Sequence, residues 1–240
     1  MTPRVAIVYF GLTRSLPDTI DSMKKHVFYP ILDSGMEYDI YMHTYVINGP
    51  YYNRWSNENL REYDNEQYQL LAPDYFLSDL QEDILAKHNL DDYFTKLESW
   101  TGFDGPLTCY LIRNMILALY SKKQITELLE KNIDKYDYVM IVRPDLKFTE
   151  ILKWGEIIAG LNDNNIAVPR QEWWAGCNDK MCIAKPGVGL YVGKLYDHLL
   201  EYSRRKSIVS ERYFKDMLDS AGIDIIPTEM NFDTIRARNN

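Results

Sequence analysis

"RVAIVYFGLTRSLPDTIDSMKKHVFYPIL", residues 4–32, sets the frame for the whole chain. A β-rich apolar run stops at Gly11, and the residues after it carry apolar side chains at helical spacing. Strand, glycine turn and helix in that order open an α/β domain. "YDIYMHTYVI", residues 38–47, reads as a second strand, so residues 4–47 form a βαβ unit with the two strands as parallel neighbours.

Working outward, residues 48–66 are polar and aromatic without a sustained period and read as a long excursion; unstructured stretches of this length are usually functional or disordered. A short strand is expected around 67–71 and a helix around 78–88. The strongest helix is 107–132, with one broad apolar face, and it delivers the chain to a strand at 137–143. Beyond it the pattern predicts a helix near 150–159, a strand near 165–168, a strand-like run "MCIAKP" at 181–186, helices about 189–203 and 210–220, and a strand near 223–227. Alternating β and α elements imply one mostly parallel central sheet with helices on both faces. No repeat or linker divides the 240 residues, so a single Rossmann-type α/β domain is expected.

Composition narrows the partners. There are 27 Lys+Arg against 35 Asp+Glu, a net charge of −8, which repels a nucleic-acid backbone and argues against a polymeric DNA or RNA partner. Cys109, Cys177 and Cys182 form neither a metal-spaced pair nor an even disulfide set, so they read as buried thiols of a reduced, cytoplasmic protein. A strand-like run begins at once, leaving no room for a signal peptide, and no apolar stretch approaches the roughly 20 residues that span a bilayer. The sequence leaves oligomeric state open.

In open α/β sheets, ligands bind beyond the carboxyl ends of the strands, and three of those ends are chemically unusual here. After the first strand come Gly11, Thr13 and Arg14, at a helix start that favours an anion and suits a diphosphate; the alternative is a plain glycine turn with a solvated arginine. The second strand carries His43 and Thr44; with no second His or Cys at metal spacing, His43 reads more simply as a satisfied core histidine. The strand at 137 ends in Arg143-Pro144-Asp145. Pro144 removes a ladder donor, so the strand stops there and presents Asp145 from a rigid end facing solvent, placed to hold a divalent cation. Arg143 points to the same side, to bind phosphate or to pair with Asp145. A carboxylate in such a position holds no core together, so replacing Asp145 by alanine is expected to leave the fold intact.

Downstream, "WWAGCNDKM", residues 173–181, sets Trp174, Asn178 and Asp179 on a loop, where a stacking wall and a catalytic carboxylate would sit; the alternative is an Asx-type turn flanked by core tryptophans. Glu211 follows Ser210 at a helix start, where it also serves as first-turn stabilisation. No Walker loop, dinucleotide fingerprint or hydrolase elbow is present, so a nucleotide would be bound by another device.

"VAIVYFGLTRS", "YDIYMHTY", "YDYVMIVRPDLKF" and "GCNDKMCIAKPGVG", in this order, resemble the small GT-A-type nucleotide-sugar glycosyltransferases found in large DNA viruses and in bacterial polysaccharide loci. The resemblance covers most of residues 4–220. It implies a nucleotide-diphosphate sugar held over the carboxyl edge of the sheet by Gly11, Thr13, Arg14, His43, Thr44, Arg143, Trp174 and Asn178. It further implies a donor half of about 1–148, an acceptor half of about 149–240 and a glycan or other hydroxyl acceptor. It also implies Mn²⁺ or Mg²⁺ on an acidic motif, which here reads Arg143-Pro144-Asp145. Only the last acid is kept, so Asp145 becomes the metal ligand and Arg143 puts metal dependence in question, since a fixed cation supplies part of the same stabilisation. An inverting transferase needs a carboxylate base, for which Asp179 comes first and Glu211 second. Two other readings stay open: a non-catalytic nucleotide- or sugar-binding module, and a metal-dependent phosphohydrolase built on Asp145 and Asp179.

Overall fold

The computed structural model describes residues 2–93 and 106–237. β1 (Arg4–Phe10) runs through the glycine turn into α1 (Leu16–Met23), which continues through a π-helical turn (Lys24–Phe28) into α2 (Tyr29–Asp33). Pro30 has no N–H to offer the His26 carbonyl, which accepts Leu152 N at 2.8 Å instead. The ladder is thus loosened where proline interrupts it. β2 (Glu37–Val46) pairs in parallel with β1, from Arg4 opposite Glu37 to Phe10 opposite His43, as the βαβ reading requires.

The excursion after β2 is ordered by a small hairpin of β3 (Tyr51–Asn53) and β4 (Glu58–Leu60). Its turn is made by Asn53 Oδ1, which accepts Trp55 N at 3.2 Å. The strand expected at 67–71 is a 3-10 turn instead (Gln67–Leu71), closed by Ala72 at φ 47° and followed by Pro73. The strand forms later, as β5 (Tyr75–Leu80), after Asp74 accepts Ile40 N at 2.8 Å, and it leads into α3 (Gln81–Ala86).

The long α4 (Pro106–Glu130) leads to β6 (Tyr138–Val142), which ends before Pro144. There follow β7 (Leu146–Phe148), α5 (Trp154–Ala159), β8 (Asn165–Pro169) and β9 (Met181–Ala184). The helix expected at 189–203 is broken into α6 (Pro186–Gly193), a 3-10 turn (Leu195–His198) and α7 (Leu199–Ser203); Pro186 starts it early, as proline does in a first turn. α8 (Ser210–Ser220), β10 (Asp224–Thr228) and β11 (Phe232–Thr234) complete the described chain.

Among the described residues, seven strands form one sheet in the order β10-β8-β9-β6-β1-β2-β5, parallel throughout except β9, which is antiparallel to both neighbours. The fold class expected from the sequence is therefore the one observed. β1 shows why both faces need helices: Val5 to Phe10 are all buried, alternately in two separate cores. Ala6, Val8 and Phe10 pack with Ile112, Ile116 and Leu119 of α4; Val5, Ile7 and Tyr9 pack with Leu16, Ile20 and Met23 of α1. Each of the larger aliphatic side chains and Phe10 contributes roughly 1.5–3 kcal/mol by leaving water.

β7 and β11 pair antiparallel as a separate two-stranded ribbon that the sequence did not announce. It carries the end of the described chain back across the carboxyl edge of the sheet, where Ile235 N donates to Asp145 O at 2.8 Å.

Candidate active site

The sheet order puts the ends of β1 and β6 side by side, with the loop before β9 beyond β6 and the hairpin beyond β1. A cavity of about 510 Å³ opens there, and Gly11, Arg14, Arg143, Asp145, Trp174, Asp179 and Glu211 all line it. Seven of the residues singled out in the sequence are therefore brought to one place.

At the end of β6, Arg143 donates from Nε to Asp145 Oδ1 at 2.9 Å and from Nη2 to Oδ2 at 2.5 Å. Arg236, from the segment after β11, adds Nη1 to Asp145 Oδ2 at 3.1 Å. Asp145 is only 2% exposed, not the solvent-facing carboxylate expected, because the chain end covers it. Its burial disfavours charge, but the Arg143 guanidinium outweighs this and holds its pKa below the ordinary 3.8.

Across the β1 side, Gly11 takes φ +94°, a left-handed turn that favours glycine, and its N–H donates to Ser121 Oγ at 2.8 Å. Arg14, just beyond, is clasped by Glu58 of the hairpin at 2.6 and 2.7 Å and lies over the Tyr51 ring at 5.2 Å. Ser56 also donates to Glu58, as does Ala237 N at 3.0 Å. Burial opposes the arginine's charge, yet Tyr51 and Glu58 together raise Arg14 above its ordinary value.

On the far side, Ser210 Oγ donates to Asp179 Oδ2. Glu211 follows in the first turn of α8; its Oε2 is buried and has no hydrogen-bond partner. Burial, then the charge of Asp179, push the Glu211 pKa above the ordinary 4.5. The loop is pressed against this turn, since a Cβ on Gly176 would stand 2.1 Å from Glu211 O. Trp174 is 78% exposed on the cavity wall.

Four expected site residues lie elsewhere. His43 is fully buried, with Nδ1 2.8 Å from Ser121 Oγ and Nε2 3.1 Å from Asp79 Oδ2. It supports the Gly11 turn through Ser121 and does not meet the cavity; burial lowers its pKa despite Asp79. Thr44 is buried on the same strand, and Thr13 is buried behind the turn, its carbonyl accepting Leu16 N at 2.8 Å to start α1. Asn178 makes the Asx-type turn of the alternative reading: its Oδ1 accepts Lys180 N at 2.9 Å and its Nδ2 donates to Gln171 O at 3.1 Å. Of the three cysteines, Cys177 and Cys182 are buried and Cys109 is exposed, against expectation.

The sequence reading missed Glu58, Arg236 and Arg113. Arg113 of α4 lines the cavity with Nη2 donating to Gln81 Oε1 at 3.1 Å and Nε buried without a partner. None stands at an apolar strand's end, the signal that marked Gly11, Arg14, Arg143 and Asp145.

The donor set does not fit a divalent cation as it is arranged. Both oxygens of Asp145 are engaged by guanidinium groups, and among the described residues no three His, Cys, Asp or Glu side chains converge. No helix among them is long and apolar enough to cross a membrane.

No protein-family model matches the chain, and no curated protein matches it. Solved structures similar to it include mouse xyloside xylosyltransferase 1, at 12% identity and TM-score 0.46, covering 94% of this chain and 85% of that one. A glycosyltransferase involved in glycosylation of the major capsid of PBCV-1 is 10% identical with TM-score 0.44, covering 95% and 82%. Glycosyltransferase GlyE of Streptococcus pneumoniae is 13% identical with TM-score 0.44; the match covers 94% of this chain and 45% of that one. These are likenesses of chain path, and the functional reading rests on the cavity.

Proposed function

We propose that this chain is a glycosyltransferase that moves a sugar from a nucleotide-diphosphate donor to a hydroxyl acceptor. The observation that carries the reading is that one cavity is lined both by Arg14, Arg143 and Arg236 and by Glu211, a carboxyl of raised pKa. Such a pairing suits a reaction in which a proton is taken on one side and negative charge develops on the other.

In this reading the diphosphate rests against Arg14 and Arg143, from the half formed by residues up to about 148, and against Arg236, which the segment after β11 carries across to them. The acceptor enters beside Trp174 and α8, in the half from about 149. Glu211 accepts the proton of the acceptor hydroxyl, whose oxygen then bonds to the anomeric carbon. The carbon–oxygen bond to the diphosphate breaks, and its electron pair stays on the phosphate oxygen, opposite guanidinium donors already in place. Glu211 is preferred to Asp179 as the base because Asp179 already accepts from Ser210, while Glu211 keeps an unpartnered oxygen. Asp179 acts on Glu211 by raising its pKa. Trp174 offers an indole face to a sugar ring.

The test is release of nucleoside diphosphate from a panel of UDP-, GDP- and CDP-linked sugars, with Glu211→Gln as control. Turnover of one donor that the variant loses supports transfer. A binding module would protect every donor, and release of inorganic phosphate from simple esters would instead indicate a phosphohydrolase.

A further inference from the structure

We infer that Arg236, carried in by the chain's C-terminal strap, joins Arg143 and Arg14 to neutralise the donor diphosphate, and that this arginine cluster takes the place of a divalent cation. The inference rests on the donor reading above and goes beyond it in having these arginines do the work of a cation.

The geometry around Asp145 points this way. A cation at that carboxylate would have to displace Arg143 at 2.5–2.9 Å and Arg236 at 3.1 Å, and would then stand among their positive charges. Displacing a bidentate guanidinium from a buried carboxylate is costly, because it strands one charge or the other. The carboxylates serve instead as anchors. Asp145 and Glu58 each hold a guanidinium plane fixed while leaving it further N–H donors, and all three arginines line the cavity.

The arginines crowd one another. Arg14, Arg143 and Arg236 share Asp145 and Glu58, with Asp179 acting on Arg143 from across the cavity, and Arg236 is held below the usual arginine value by burial and then by the charge of Arg143. A bound anion would relieve that crowding.

Arg236 is also held in place. Ser15 Oγ donates to Ile235 O at 2.9 Å, Ala237 N donates to Glu58 Oε1 at 3.0 Å, and Lys180 Nζ donates to Thr234 Oγ1 at 2.9 Å. The strap is thereby tied to the start of α1, to the hairpin and to the loop before β9, so little ordering remains to be done when an anion arrives.

The experiment is calorimetric titration of the full chain with UDP, GDP, CDP and ADP, once in EDTA and once in MnCl₂, for wild type and Arg236→Gln. At least one nucleotide should bind in EDTA with an affinity within about threefold of that in Mn²⁺. Arg236→Gln should weaken it by roughly tenfold or more, the scale of one charge-assisted hydrogen bond. Arg236→Gln should still melt in one cooperative transition without ligand, which separates lost binding from lost folding. Binding that appears only with Mn²⁺, or an Arg236→Gln protein that binds as wild type does, overturns the inference and leaves the donor site standing. Failure of all four nucleotides in both buffers overturns the donor reading and the inference with it.

Discussion

Glu211 stands beside Asp179 in a wall where only Asp179 has a hydrogen-bonding hydroxyl: Ser210 serves Asp179, and Glu211 Oε2 is left buried without a partner. The pair is thereby made unequal in hydrogen bonding, and burial, then its neighbour's charge, raise the Glu211 pKa above the ordinary 4.5.

The activity profile should report this inequality. A base must be ionised, so kcat/KM should fall on the acid side through a pKa above the ordinary 4.5 of glutamate. Asp179→Asn removes a like charge, which lowers the Glu211 pKa and should move that limb to lower pH. A limb that does not move, or that survives in Glu211→Gln, assigns the proton to another group.

Replacing Asp145 by alanine should destabilise the protein, against the expectation from sequence. The carboxylate is buried and engaged by two arginines, so its loss strands their charge, at a cost of about 3 kcal/mol. Chemical denaturation measures this directly; an unchanged midpoint would mean that the pair is not buried.

Acid should act through the same carboxylates. Asp145 and Glu58 have folded-state pKa values below the ordinary 3.8 and 4.5, as Arg143 and Arg14 outweigh the opposing effect of burial. Their contribution is present above those ordinary values and is lost as pH falls through the lower folded-state ones. Melting temperature should therefore drop from about pH 4.5 downward. The drop should be shallower in Asp145→Asn, which has one such group fewer; equal slopes would contradict the assignment.

Gly176→Ala tests the loop's grip on Glu211. The added Cβ would meet backbone, 2.1 Å from Glu211 O and 2.8 Å from Arg212 N, so the first turn of α8 has to move. A displacement on the order of 1 Å should cost roughly 100-fold in kcat. Near-normal turnover would show that Glu211 needs no such positioning.

Trp174→Ala should behave in the opposite way. With the indole 78% exposed, stability should change by no more than about 0.5 kcal/mol. KM for one substrate should rise by roughly 2- to 10-fold, the worth of one stacking contact, with kcat little changed. Unaltered KM would remove Trp174 from the site.

Much of this was legible in the sequence for a physical reason. An apolar run that stops at Gly11 or Pro144 has a definite end, and the ends of parallel strands lie on one edge, so Arg14, Arg143 and Asp145 had to be neighbours. Glu58 and Arg236 were not legible. They reach their partners across 44 and 91 residues of chain, on or just after three-residue strands too short to show a period. His43 was ambiguous because the group that claims it, Ser121, arrives 78 residues later on α4. The two edge regions around β5 and β11 were misread or missed where pairing, not local propensity, decides strand formation.

A crystal soaked with the nucleotide sugar that the protein turns over tests the central claim most directly. The account predicts diphosphate oxygens within hydrogen-bonding distance of Arg143 and Arg236, and the anomeric carbon on the side facing Glu211. A donor bound away from the carboxyl ends of β1 and β6, with those arginines still turned only to Asp145, would contradict it.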